Sequence, residues 1–486
     1  MPEEVPGRQY DIYHIPSLDR GMAPAFPMTV MPQEPEGGQG YTKLLKNVMF
    51  PRVPGQIEKR PASKEVLAPT DSEVLGAFEF IKKPDEESYI VAAHGNKLQY
   101  WDDGWSDIKD ELTEAEHYDF RTFDNRLVVV NGQDDSFLWD GNEVTEPDDF
   151  PKAKFLSEYK GRLVVAGDPD EPVKLSVSHP QNPNLWDPTE LGSLALEIFV
   201  SPDDGQKITG LMGMDDFVLI GQEHQLYGLF GTTTQDFAIY KVDPSVGVGS
   251  HKSMANIHGI AFFVDSRGNV YRYERGELPQ RVSEPVDNII KENVDTDYIH
   301  KARAFVMDSD FYVVSLPTGE DSRITLIYDT MENRWAQWDL EIGEPFYTHE
   351  GRERVEAYFT PAGGEKFLKL DKDKFEDEDE SPVEMSVQSL DMHFGHPGTE
   401  KEVRTLFMRF RLTGDYHPFK LYYKVDGGDW SRPLRHELPE KEGYVTVSFP
   451  IGVTNCREFE FRLDSEEPLD IKVLDCLITY SVKEVE

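Results

Sequence analysis

The sequence predicts an all-β protein with a β-propeller-like body, an extended N-terminal arm and a C-terminal β-sandwich. Three observations predict it. A strand module from Phe123 to Gly132, FDNRLVVVNG, is echoed 36 residues later from Tyr159 to Asp168, YKGRLVVAGD. Looser copies run from Met214 to Gly221, Gly259 to Asp265 and Asp308 to Leu316. A second unit, Gly95 to Trp101, matches Gly268 to Tyr273. Beyond residue 382 the pattern changes to clear apolar–polar alternation, as from Thr405 to Leu412 and from Tyr444 to Phe449. Repeats of roughly 40–50 residues built only from short strands mean a radial β array. Such a fold is a scaffold, so function is read from what decorates it.

Residues 1–65 form the arm. Pro2, Pro6, Pro16, Pro24, Pro27, Pro32 and Pro35 interrupt any regular element. The segment still carries Tyr10, Ile12, Tyr13, Ile15, Phe26, Met28 and Val30, so it is expected to lie against its own body or a neighbouring subunit. Residues 66–375 form the propeller. Its apolar runs, such as Tyr89 to Ala93 and Ile324 to Tyr328, are strand length and are bounded by Gly, Asp and Asn. Turn pairs such as Arg267-Gly268-Asn269 supply the positive backbone angles of tight hairpins. Trp101, Trp139, Trp186, Trp335 and Trp338 are expected to fill gaps between blades. The charge run from Asp371 to Glu380 lacks the turn glycine of an EF-hand loop and reads as a solvated linker or loop tip. Residues 383–486 form the sandwich, with a plain hairpin turn at Asp426 to Asp429. Only Val286 to Glu292 suggests a helix, a short one. Spacings between repeats are too uneven to fix the blade number.

The chain has 91 acidic and 50 basic residues, a formal net charge of −41. That surplus suits solubility at high concentration or high salt, repulsion of a polyanion, or cation binding. It argues against general adhesion to nucleic acid, which needs clustered Lys and Arg. The two cysteines, Cys456 and Cys476, are expected to be isolated buried thiols, because two in a chain of 486 do not make a disulfide scaffold. The acidic start predicts no secretory signal, and no apolar run is long enough for a membrane span.

No catalytic constellation stands out, so the chain is read as a non-enzyme without cofactor or metal. There is no nucleophile elbow, Walker loop or His-Glu-x-x-His. Val246 to Gly249 resembles half a dinucleotide loop but has no helix to follow and reads as a propeller loop. His393 and His396, with Asp391, flank what reads as a turn rather than a metal site. Paired carboxylates of glycosidase type cannot be singled out among so many acids. Basic residues are scarce and therefore more informative. Pro54 to Pro61, PGQIEKRP, ends the arm just before the first blade. Lys59 and Arg60 there either pair with nearby acids in a turn or anchor the arm to a partner.

Taken in order, these features resemble the tail hub, or nozzle, proteins of short-tailed bacteriophages, also described as tail accessory or stabilisation proteins. The resemblance covers most of the chain. It begins with the arm leading into Pro54, Gly55, Lys59 and Arg60, followed by Gly161-Arg162-Leu163 and Ser178-His179-Pro180. Ile208 to Leu211, Asp216 to Gly221, Gln225-Leu226-Tyr227 and Ile327 to Trp335 continue the order. The acidity, and the loops at 140–150 and 371–382, depart from the pattern. The resemblance implies a virion protein of the viral tail, made in the host cytoplasm. It implies a homo-hexamer ring below the portal and adaptor proteins, with a distal tail needle or fibres beyond. The acidic channel of that ring would pass the genome during DNA ejection without binding it tightly. Assembly contacts would then fall to Tyr10, Tyr13, Phe26, Phe50, Arg52, Pro54, Gly55, Lys59 and Arg60. Two other readings compete: a carbohydrate-binding propeller, with or without glycosidase activity, and a cellular propeller scaffold that docks partners on one face.

Overall fold

The computed structural model describes residues 10–25, 40–83, 87–203, 205–350, 353–413 and 416–483. Each sequence repeat is the middle of a four-stranded antiparallel sheet. Asp124 and Asn125 join the strands Asp119–Phe123 and Arg126–Val130 with φ of 48° and 60°. Lys160 and Gly161 (50° and 69°), His258 and Gly259 (53° and 85°), and Asp308 and Ser309 (48° and 64°) do the same in later sheets. Two successive positive φ values fit a type I′ turn, whose twist matches that of the strands it joins. The strand after each turn is almost wholly apolar and buried, as in Leu127 to Val130 and Leu163 to Ala166. Such a strand has sheets on both faces.

Among the described residues, seven sheets of this kind follow one another. Their spans are 74–109, 119–145, 155–199, 208–243, 255–281, 303–338 and 342–371. The innermost strands neighbour one another in sequence order, and the last, Ile342–Glu350, packs against the first, Val74–Lys82. The ring is therefore closed, and the body is a seven-bladed β-propeller. The seventh blade borrows its outer strand, Ala62–Leu67, from the N-terminal region, where it pairs antiparallel with Phe367–Asp371. A late blade completed by an early strand locks the ring without a covalent bond.

The rest of the N-terminal region is not a free arm. Thr42–Lys46 bridges the outer strand of blade six, Arg334–Trp338, and the sandwich strand Met385–Ser389. Blade six thus continues into one sandwich sheet, which adds Phe459–Ser465, His417–Val425 and Leu434–Leu438. The other sheet holds Lys401–Thr413, Glu442–Cys456 and Lys472–Val482. The N-terminal strands Asp11–Ile15, Val48–Met49 and Ile57–Lys59 complete it. One hydrophobic core runs from Tyr13 and Phe50 through Trp335 and Trp338 to Phe410 and Tyr480. Propeller and sandwich share it, which makes a hinge between them costly.

Several local expectations meet the structure here. Trp139, Trp186, Trp335 and Trp338 are buried, and Trp101 is half-buried. The helix is Asp287–Asn293. Gly247 and Gly249 carry the loop to blade five so close to the carbonyls of Gln222 and Asp265 that a Cβ at either position would collide. The charge run is solvated at Lys372 to Lys374, Glu376, Asp379 and Glu380, as expected of a loop, but it also folds back on the body. Its Asp377 side chain is only 12% exposed and grips Arg60. Cys456 and Cys476 are buried free thiols. Burial pushes the Cys456 thiol up to about 11 and raises Cys476 further. Neither thiol is expected to react with a disulfide reagent at pH 8 until urea unfolds the sandwich. Prompt labelling of the native protein would show that this region opens.

Candidate functional site

The polar centre of the propeller is the region richest in chemistry-bearing side chains. Where the inner strands begin, the loops between blades surround a cavity of about 900 Å³. At the opposite end lies a cavity of about 500 Å³, lined by Phe78, Phe120, Phe346, Arg121 and His349. Lys252 lines both, so it sits between them.

Lys252 is held there by Glu344, which also accepts a 2.5 Å hydrogen bond from Arg303 Nε. Lys252 Nζ further donates to the Leu75 carbonyl at 3.2 Å. Burial alone would raise the Glu344 carboxyl, but Arg303 and Lys252 outweigh it and hold it below its ordinary value. Three charged groups from the first strand of blade six, the first strand of blade seven and the turn before blade five therefore close the middle of the channel.

A second pair stands beside them. Leu211 N–H donates to His251 Nδ1 at 3.2 Å, which makes Nδ1 the acceptor and places the ring proton on Nε2. Nε2 lies 2.9 Å from Asp119 Oδ2. That oxygen also accepts the Leu156 N–H at 2.7 Å, while Oδ1 accepts the Phe120 N–H at 3.0 Å. Burial would raise Asp119, but His251, the Leu156 N–H and Lys252 together hold it low. Asp119 and His251 tie blades two, three and four to the turn before blade five.

His117 packs edge-on against Phe155 and His251, with ring centroids 5.7 Å away in both cases. It is 6% exposed, and its Nε2 is buried without a hydrogen-bond partner. Burial, then the cations Lys252, Arg303 and Lys154 together with His251, push its pKa well down and keep it neutral. His117, Asp119 and His251 offer ligand atoms within 4.8 Å of one another, the spacing of a metal site. The donor set does not fit a metal. To ligate through Nε2, His251 would carry its proton on Nδ1, against the Leu211 N–H, and Lys252 and Arg303 already supply the positive charge nearby.

The sequence-predicted site residues lie elsewhere, mostly at the junction of blade six and the sandwich. Tyr10 OH donates to Glu402 at 3.3 Å, and Arg404 lies 4.4 Å over its ring. Tyr13 meets Phe394 edge-on at 5.0 Å, and Phe50 lies under Arg334 at 4.5 Å. Arg52 bridges Asp329 and Asp310 at 3.0 and 2.9 Å. Exposed Pro54 precedes Gly55, whose φ is 78° and whose N–H donates to Asp19 at 2.9 Å. Lys59 donates to the Glu467 carbonyl at 2.6 Å. Arg60 spans Asp377 and Asp339, each at 2.7 Å, and Asn47 at 3.0 Å. Phe26 lies outside the described residues. Tyr13, Phe50, Lys59 and Arg60 are at most 1% exposed, enclosed by the chain's own strands rather than offered to a partner. For Lys59 and Arg60 the pairing with the chain's own groups is the arrangement found. His393 and His396 fall in a turn, with His396 N–H donating to the His393 carbonyl at 2.9 Å.

The fold and channel place the chain in the class of β-propeller proteins, here with a β-sandwich built into the ring. Solved structures similar to it include BBS1N in complex with ARL6DN (11% identity, covering 64% of this chain and 98% of that one, TM-score 0.42). The Dos1 propeller (12%, 68% and 92%, 0.39) and Kluyveromyces lactis Hsv2 (13%, 61% and 96%, 0.36) are also similar. No protein-family model matches the chain, and no curated protein does.

Proposed function

We propose that the protein is a structural scaffold that docks protein partners on the outer face of its sandwich. The observation that carries this reading is the second sandwich sheet. Side chains alternate across a strand, and His14, Phe407, Thr446, Leu477 and the ion pair of Arg409 with Asp475 share one shallow depression on its outer side. Ile12 and Tyr444, two residues from His14 and Thr446, point the same way and are 57% and 67% exposed. Arg411 stands opposite Tyr444. Among the described residues, the long strand Glu442–Cys456 ends the sheet with an open edge. A face mixing exposed apolar side chains with arginines, one of them paired to an acid, beside an open edge has the composition of a docking surface. Cross-linking with mass spectrometry on the full chain in its native extract tests this. Cross-links from partners should cluster on this face and vanish in Ile12→Asp/Tyr444→Asp with melting unchanged. Links scattered over the blades would sink it.

A second reading, the ring-forming hub of a viral tail, is favoured by charge. Arg411 on this face, beside the internally paired Arg409 and Asp475, belongs to a chain of net charge −41, so a second copy's acidic surface is a complementary partner for head-to-tail association. The passage for DNA would be the lumen of such a ring. The channel of a single propeller is closed by Lys252, Glu344 and Arg303. Negative-stain averages in high salt should show six-fold rings with a central hole, and duplex DNA should not bind at about 0.15 M salt. Single discs together with micromolar DNA binding would remove this reading and leave the scaffold reading standing.

A further inference from the structure

Among the described residues, the outer strands of the sheets are guarded against pairing with another chain, with one exception. Each open outer strand of a blade is two residues long, as Val144–Thr145 and Gln280–Arg281 are, or carries a charge. Asp107, Glu197, Lys241 and Lys64 are such charges on blades one, three, four and seven. One sandwich sheet ends on Leu434–Leu438, with Arg435 and Glu437. The other begins on Val48–Met49, two residues long, and on Asp11–Ile15, which carries Asp11. Short length and charge keep a sheet edge from recruiting a strand. Glu442–Cys456, at the far edge of that sheet, has neither. It is 15 residues long and its only charge is Glu442 at the start, in a chain that is 29% charged. Its only strand partner among the described residues is Lys401–Thr413, so its other side is open.

Part of this edge is protected by other means. Pro450 has no N–H to offer, and beyond it the register with Lys401–Thr413 shifts twice and Gly452 takes a φ of 66°. That leaves Gly443 to Phe449, GYVTVSF, which is regular in register, rich in strand formers and uncharged. We propose that this stretch pairs antiparallel with the same stretch of a second copy, about a two-fold axis at Thr446. The proposal rests on the docking reading in taking this edge as a partner-binding one, and it names the partner. Charge selects that partner. A chain of net charge −41 repels another copy over most of its surface, whereas here two copies meet without setting charge against charge. A two-fold at Thr446 sets Thr446 against itself, Val445 against Val447 and Tyr444 against Ser448, with Glu442 opposite Pro450. Opposed residues share a face, and these pairs are matched in exposure. Val445 is half-buried and Val447 buried on the core side, while Tyr444, Thr446 and Ser448 are exposed on the other. Cores and outer faces therefore run on from one copy to the next. The approach is clear as well. Leu434–Leu438, the strand just before, lies four strands out from Thr42–Lys46 at blade six, so this end of the sandwich is remote from the blades.

The test is sedimentation velocity of the full chain over a wide concentration range, at low and at high sodium chloride. A reversible monomer–dimer equilibrium is expected, and salt should strengthen it by screening the like net charges. A contact between an arginine and an acidic surface would instead weaken with salt. Thr446→Lys, at an exposed position, sets two ammonium groups against each other and should weaken the dimer about tenfold or more. The melting temperature of the variant monomer checks that its fold is intact. Ile12→Asp, three strands from the edge, should leave the dimer as it is. Thr446→Cys should lock the dimer through a disulfide on mild oxidation, while Thr454→Cys, exposed beyond the paired stretch, should not. The native thiols are buried and stay out of the exchange. A chain that remains monomeric throughout overturns the proposal, as does a dimer that survives Thr446→Lys or one that only Thr454→Cys locks. A monomer whose native-extract cross-links still gather on the sandwich face overturns self-pairing and leaves the docking reading standing. A dimer lost with Thr446→Lys, from an extract whose cross-links scatter over the blades, upholds self-pairing and removes the docking reading.

Discussion

Arg60→Ala is expected to lower unfolding stability by about 3–5 kcal/mol, the cost of removing one partner from a buried ionic network. Arg60 is 1% exposed and ties together three parts of the chain that are distant in sequence. Its guanidinium donates to Asp377 in the charge run, to Asp339 after blade six and to Asn47 between two N-terminal strands. Asp377 in turn accepts the Ser63 N–H, at the start of the strand that closes blade seven. Without the guanidinium, Asp377 and Asp339 face each other with no cation between them. Arg60→Lys should recover little, because a single ammonium cannot make paired hydrogen bonds to two carboxylates. The acid response follows from the same contacts. Burial alone would raise Asp339, but Arg60 outweighs it and holds the carboxyl below its ordinary value. A depressed carboxyl contributes stability above its unfolded pKa of about 3.9 and loses it as pH falls through the folded value. The wild type should therefore lose stability steeply below about pH 4, and Arg60→Ala should lose less over that range. Urea midpoints at pH 7 and pH 3 measure both. Equal midpoints for the two proteins at pH 7 would show that the clasp is not holding the ring.

What the sequence made legible is what is local. The paired turn residues at Asp124-Asn125 and Lys160-Gly161 and the apolar strands behind them lie within ten residues, so the hairpins could be read directly. The number of blades could not. The third blade carries a long excursion between the strands Lys174–Val177 and Leu196–Phe199, and a turn of 3-10 helix at His251–Ser253 precedes the fifth. Both stretch the spacing that a repeat count needs. The strand Ala62–Leu67 has no signal of its own, because its partner Phe367–Asp371 is about 300 residues away. Tyr13 and Ile15 alternate as a strand should, yet the prolines around them pointed to an arm. The channel was the least legible part. His251 and Asp119 are 132 residues apart, and Lys252 and Glu344 are 92 apart. Only closing the ring brings them together, so spacing along the chain carried no trace of them. The scarcity of basic residues drew attention to Lys59 and Arg60, which are structural, while Lys154, Lys252 and Arg303 were as scarce and passed unnoticed.

Glu344→Leu is expected to destabilise the propeller by about 3–5 kcal/mol, since it leaves Lys252 and Arg303 as uncompensated charges in the channel. The larger interest lies in the triple variant Lys252→Met/Arg303→Met/Glu344→Leu. Replacing a whole buried ionic cluster by apolar side chains of similar size is often neutral, and here two terms set the outcome. The three charges no longer have to be desolvated, which favours the triple variant. Against that, the Leu75 carbonyl loses its Lys252 donor, and the His300 and Ala302 carbonyls lose Arg303 and are left to share the single Ser250 hydroxyl proton, so about two acceptors go unmet at about 1 kcal/mol or more each where no water reaches them. The triple variant should therefore melt above Glu344→Leu and below the wild type, far from the sum of the three single changes. If the single changes simply add, the three groups act independently, and the centre of the ring is held by backbone packing alone. If the triple variant melts above the wild type, the cluster is a net burden on the fold. Its presence where the two cavities meet at Lys252 would then call for a role in what the channel admits.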